Sequence, residues 1–97
     1  MSDQTEDLKK SIVTGKVLVD FFATWCGPCY AVEPIIKKIA EEAGLPLIKV
    51  DIDVEREIAE TFGILSVPTI VYMENREEVA RVTGALPKAK LTEALGL

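Results

Sequence analysis

Apolar positions along the chain follow two alternating rhythms, near-continuous short runs and recurrences every three or four residues. Residues 16–23 are almost unbrokenly apolar after Lys16, interrupted by Asp20, the pattern of a central parallel strand buried on both faces. From residue 26 to residue 43 the spacing turns helical: Val32, Ile35, Ile36, Ile39, Ala40 and Ala43 share one side, while Glu33, Lys37, Lys38, Glu41 and Glu42 face out. Gly44 is placed to cap this helix and Pro46 to stop it, whereas Pro34 lies inside, where it deletes a backbone hydrogen bond and should bend the axis. Residues 45–51 read as a second strand, parallel to the first because a helix crosses between them. Asp53 is then expected to cap a helix that turns Val54, Ile58 and Phe62 inward and ends at Gly63, with Glu55, Arg56, Glu57 and Glu60 on a solvated face. Residues 69–73 and 78–82 predict an antiparallel hairpin across Glu74-Asn75-Arg76-Glu77, in which Asn75 takes any left-handed conformation. Pro87 opens a last helix with Leu91, Ala94 and Leu95 inward. Ahead of all this, residues 1–15 carry a short helical pattern through Leu8 and Ile12, ended by Gly15.

Alternating strands and helices in a chain of 97 residues with 48% hydrophobic content fit one α/β domain with a single core, spanning residues 1–97. The net charge of −5 argues against nucleic acid as the main partner, because phosphate binding needs clustered Lys and Arg. Residues 1–7 are acidic and polar where a secretory signal is basic and then apolar, and no apolar run approaches the length of a membrane span. A cytoplasmic location without membrane attachment is the expectation.

The chemistry concentrates at Trp25-Cys26-Gly27-Pro28-Cys29, which holds both cysteines of the chain. In a reducing cytoplasm two cysteines read as redox-active rather than as a structural staple. With two Cys and no His the chain lacks the ligands of an intrachain zinc site, so only a cluster shared between two chains is left for a metal, and none is expected. Two cysteines three apart at a helix start lie on one side of its first turn and can close a disulfide or open to a dithiol. Cys26 sits where backbone N–H groups are unpaired and the helix dipole is positive, which favours thiolate and marks it as the nucleophile. Cys29, one turn deeper, is the resolving thiol. Pro28 suits a first turn and Gly27 leaves a second polypeptide room to approach.

The segment Val17-Leu18-Val19-Asp20-Phe21-Phe22-Ala23-Thr24-Trp25-Cys26-Gly27-Pro28-Cys29, then Pro34, Lys49-Val50-Asp51-Ile52-Asp53, Val67-Pro68-Thr69 and Gly84-Ala85, resembles the thioredoxins over the stretch from Val17 onward. The resemblance implies a three-layer sandwich, a mixed sheet flanked by helices on both faces, and a protein-disulfide reductase that needs no cofactor beyond its Cys26–Cys29 disulfide. It implies disulfide-containing protein substrates and a thioredoxin reductase or another electron donor as partners. A typical family member begins with an extra strand, and residues 1–7 are not apolar enough for one, so four strands are expected instead of five, with the strand over 45–51 exposed as an edge. The chain is expected to be a monomer.

Several residue roles follow from the same likeness. Asp20 points into the core near the cysteines, where burial raises its pKa and suits it to pass a proton to or from Cys29. Lys49 lies near that acid and favours its ionised form. Val67-Pro68 is a cis bond against the cysteines, leaving the Val67 backbone to pair with an extended substrate segment. Gly84 leaves room beside Pro68. Specificity is expected from an apolar surface of Trp25, Gly27, Pro28, Ile64, Val67, Pro68, Gly84 and Ala85. Gly27-Pro28 resembles the reductants of the family, whereas strong oxidants usually carry a histidine there. Tyr30 stands where the family often has Lys or Arg. A glutaredoxin-like, isomerase or oxidant activity is the alternative, since the short amino terminus is similar to small archaeal proteins between thioredoxin and glutaredoxin. A binding module with incidental cysteines is the other.

Overall fold

The computed structural model describes residues 15–97. The helical pattern of residues 1–14, and the question of a strand there, lie outside the described residues. Four strands and three helices follow in the order β1 (Lys16–Phe22), α1 (Gly27–Ala43), β2 (Leu47–Asp51), α2 (Arg56–Thr61), β3 (Thr69–Glu74), β4 (Glu77–Thr83) and α3 (Lys88–Leu95). The strands form one mixed sheet in the order β2-β1-β3-β4. β1 pairs parallel with β2 and antiparallel with β3, so the most apolar strand lies inside the sheet. Among the described residues no further strand pairs with the outer edge of β2.

Alternation along β1 divides the core into two layers, because successive side chains leave a strand on opposite faces. On one face Leu18, Ile70, Tyr72 and Val82 pack against Val32, Ile36, Ile39 and Ala40 of α1 and Leu91 and Leu95 of α3. On the other, Val17, Val19, Phe21, Val50, Val71 and Met73 pack with Ile58 of α2 and the adjoining Phe62, whose ring centroid lies 5.2 Å from that of Phe21. Helices therefore cover both faces, as in the expected three-layer sandwich. Asp20 shares the α1 face with Leu18 and Phe22, since its register partners are Lys49 of β2 and Ile70 of β3.

Several local expectations are corrected. Ala43 and Ala94, placed inward by spacing, are exposed: Ala43 is the last residue of α1, and on α3 the buried positions are Leu91 and Leu95, so Ala94 falls to the side of that stripe. Val54 is exposed and Glu55 buried, the reverse of the sequence reading. The cause is a tight turn after β2, in which the N–H groups of Val54 and Glu55 both donate to the Asp51 carbonyl. That turn delays α2 to Arg56, so Asp53 does not cap it and Glu55 occupies the cap position. The hairpin turn uses left-handed backbone at Arg76 (φ 75°) as well as at Asn75 (φ 49°), the geometry that a two-residue connection needs to match strand twist. Pro87 precedes α3 at its cap position rather than lying inside its first turn. Gly44, by contrast, ends α1 in the left-handed conformation (φ 67°), its N–H bonded to the carbonyls of Ala40 and Glu41.

Candidate active site

Strand β1 runs into the cysteine loop from the middle of the sheet, so whatever follows it is delivered to the sheet's carboxyl end. There the chain turns once, with the Cys26 N–H bonded to the Ala23 carbonyl at 3.2 Å, and enters α1. Cys26 is the N-cap residue, in extended conformation, and Pro28 lies in the first turn where its missing N–H costs nothing. The cap is unusual because sulfur replaces the usual hydroxyl or carboxylate: Cys26 Sγ accepts the N–H of Cys29 at 3.2 Å. A sulfur at this point gains from that donor and from the positive end of a helix of 17 residues.

Cys26 and Cys29 are joined as a disulfide, with Cα atoms 5.4 Å apart. Their exposures, 5% and 4%, barely differ, so access does not separate their roles. Their surroundings do. Gly27 and Pro28 beside them are exposed, and Val67, which forms a cis bond with Pro68, packs against the cluster of Ala23, Cys26 and Cys29. The Pro68 carbonyl accepts the N–H of Gly84 at 2.9 Å, which lays the start of the Gly84-Ala85 loop beside Pro68. Gly84 adopts φ 105°, a backbone that residues with a Cβ rarely take.

Trp25 is 70% exposed at the rim, held by a hydrogen bond from its indole N–H to Asp53 at 2.8 Å. Asp53 thus orients an aromatic side chain instead of capping a helix. Tyr30 straps the loop from the other side, its hydroxyl donating to the Thr24 carbonyl at 3.0 Å. Ile64 is half-buried against the second core layer, while Leu65 beside it, absent from the surface expected from sequence, is almost fully exposed. Both lie in the loop between α2 and β3, outside any strand, so no periodic signal in the sequence separates them.

On the inner side of the disulfide a narrow cleft is lined by Asp20, Phe22, Cys29, Tyr30, Glu33 and Lys49. Asp20 is 1% exposed and its Oδ1 has no hydrogen-bond partner. Burial pushes its pKa up to about 6; the Lys49 charge opposes this and the Glu33 charge adds to it. Lys49 stands opposite Asp20 in register, yet its ammonium bonds the Glu33 carboxylate, and its stem brings the charge 4.6 Å from the centre of the Phe22 ring. That ammonium holds the Glu33 carboxyl below the usual range. Helical spacing alone makes Glu33 a solvent-facing residue of α1. Its position four residues after Cys29, hence on the same helix face, is the clue in the sequence to its place at the cleft.

Residues 2–96 match the family model for thioredoxin. The chain is 42% identical over 83 residues to a thioredoxin of Listeria monocytogenes, covering 84% of this chain and 81% of that protein. It is 42% identical over 94 residues to a thioredoxin of Chlamydia pneumoniae, covering 94% of this chain and 90% of the other. Among solved structures, the reduced Schistosoma mansoni thioredoxin pre-protein superposes with a TM-score of 0.81 at 36% identity, covering 96% of this chain and 88% of that one. The oxidised mitochondrial thioredoxin 3 of Saccharomyces cerevisiae gives a TM-score of 0.80 at 28% identity, covering 97% and 90%. A sulfur pair closed at the amino end of α1, carried on this fold and this likeness, leaves one conclusion: the chain belongs to the thioredoxin family and is a protein-disulfide oxidoreductase.

Proposed function

We propose that the protein acts as a single-domain reductant of protein disulfides in the cytoplasm, with Cys26 as nucleophile, Cys29 as resolving thiol and Asp20 as their proton acceptor. In the dithiol form the Cys26 thiolate attacks one sulfur of a partner disulfide, forming a mixed disulfide and releasing the other partner sulfur as a thiolate. Cys29 then gives up its proton to Asp20, directly or through a water in the cleft, and attacks Cys26 Sγ. The mixed disulfide breaks and the second partner sulfur leaves as a thiolate. Two electrons have passed to the partner, whose thiolates take up protons from solvent and from the cleft, and Cys26–Cys29 is again the disulfide. A thioredoxin reductase or another dithiol or flavin donor returns two electrons for the next cycle.

The observation that carries this reading is the cap: Cys26 Sγ accepts the Cys29 N–H at the amino end of α1, which favours the anion on Cys26 and not on Cys29. Asp20, on the inner side of the pair and lining a cleft with Cys29, supports the proton path. Docking falls to the apolar surface of Trp25, Gly27, Pro28, Ile64, Val67, Gly84 and Ala85, with Pro68 buried beneath it, and the exposed Leu65 extends it. A small uncharged contact of this kind favours many transient partners. Monomeric function is consistent with it.

Cys26→Ser is expected to abolish reduction of a protein disulfide by the dithiol-recycled protein, and Cys29→Ser to accumulate a mixed disulfide seen as an added mass on a non-reducing gel. Unchanged turnover in Cys26→Ser would remove the nucleophile assignment. The equilibrium reduction potential of the pair is expected to be more reducing than about −230 mV, beyond the glutaredoxin range. A value near that of isomerases would overturn the reductant reading.

A further inference from the structure

Asp20 can serve Cys29 only if its carboxylate is not already engaged, and the residue best placed to engage it is Lys49. The two are register partners on β1 and β2, side by side on the face beneath α1. Among the described residues no ion pair joins them. Lys49 instead bonds Glu33, which projects from α1 on the same side as Cys29, and Asp20 Oδ1 is left buried without a partner. A buried carboxylate oxygen without a partner is a costly arrangement, and the cation opposite it in register is engaged by Glu33 instead.

We infer that Glu33 is a positioning residue for proton transfer: it anchors the Lys49 ammonium at the mouth of the cleft and so keeps Asp20 unpaired and available to Cys29. The inference rests on the reading of Asp20 as proton acceptor. The groups that face Asp20 are few. α1 presents Cys29, Tyr30 and Glu33, β2 presents Lys49, and the β1 and β3 neighbours Phe22 and Ile70 do not titrate. Lys37 lies close enough to Glu33 to lower its pKa further, but by less than Lys49 does. Glu33 acts in two ways that reinforce each other: its own negative charge raises the Asp20 pKa, and its hold on Lys49 limits the opposing effect of that cation. An acid at this position therefore tunes Asp20 without touching the sulfurs.

The test is the titration of the Asp20 side-chain carboxyl by carbon NMR in the oxidised protein, where no thiol titrates alongside it, paired with the pH dependence of kcat/KM for protein-disulfide reduction. In Glu33→Gln, Lys49 is released to Asp20, and the Asp20 midpoint is expected to fall by about one pH unit or more, with the acidic limb of kcat/KM moving the same way. In Lys49→Gln the midpoint is expected to rise, and adding Glu33→Gln to that variant should produce a markedly smaller fall than in the parent. An equal fall in both backgrounds means that Glu33 acts only by its own charge, and the anchoring is wrong. An Asp20 midpoint unmoved in Glu33→Gln removes Glu33 altogether while leaving Asp20 in place. An acidic limb that survives Asp20→Asn instead removes the proton acceptor on which the inference depends, so the two failures are told apart.

Discussion

A carboxylate gains most of its stability from water, and Asp20 has lost that water without a compensating hydrogen bond on Oδ1. The consequence for stability can be signed. Its pKa is raised from 3.8 to about 6, so the native state binds this proton more tightly than the unfolded chain does. Asp20 thus contributes favourably below about pH 4, and that contribution is lost as pH rises through about 6. At neutral pH the native state carries a buried charge whose ionisation costs about 3 kcal/mol more than it does in the unfolded chain, since each tenfold change in proton affinity is worth about 1.36 kcal/mol. Asp20→Asn is therefore expected to raise unfolding stability by about 2–3 kcal/mol at pH 7.5 and by little at pH 3.5, read from urea midpoints at the two values. An equal gain at both would mean that packing and not ionisation is responsible. That a site residue weakens the fold at working pH is the usual cost of keeping a reactive group buried. Asp20 was legible in the sequence as an acid inside an apolar run; the partner arrangement around it was not, since Lys49 and Glu33 meet it from separate elements.

At the scale of elements, caps and turns were mostly readable, because their causes lie within a few residues. Gly44 and Gly96 end their helices in left-handed backbone, as glycine after an apolar periodic stretch leads one to expect. The β3–β4 turn shows where local reading stops. Asn75 tolerates a positive φ, but the pairing of Glu74 with Glu77 leaves only Asn75 and Arg76 to reverse the chain, so Arg76 must go left-handed too. For a residue with a Cβ that conformation costs about 1–2 kcal/mol. Arg76→Gly is expected to stabilise the protein by about 0.5–1 kcal/mol after allowing for the greater freedom of glycine in the unfolded chain, measured as a higher urea midpoint at unchanged slope. A loss of stability would show that the Arg76 side chain contributes more than its backbone costs. The same hairpin carries a bulge, in which Met73 pairs with Glu78 and Tyr72 with Ala80, so Val79 has no opposite partner and is exposed.

For the molecule as a whole, the division of labour between the two core layers separates stability from chemistry. Leu91 is 0% exposed and joins α3 to the layer shared by α1 and the sheet, yet it belongs to neither the cysteine cluster nor the cleft. Leu91→Ala is expected to cost about 2–5 kcal/mol of unfolding free energy while kcat/KM for disulfide reduction at 25 °C stays within about twofold of the parent. A large loss of activity in folded protein would mean that α3 also shapes the site. Periodicity, capping residues and the spacing of two cysteines suffice to order the elements and to put one sulfur at a helix's amino end, because these signals act over one or two turns of chain. The low-exposure setting of Asp20 and the capture of Lys49 by Glu33 depend on the pairing of β1 with β2 and on the seating of α1 over both. Desolvation and charge coupling are set by neighbours in space, and in this protein those neighbours lie on three different elements.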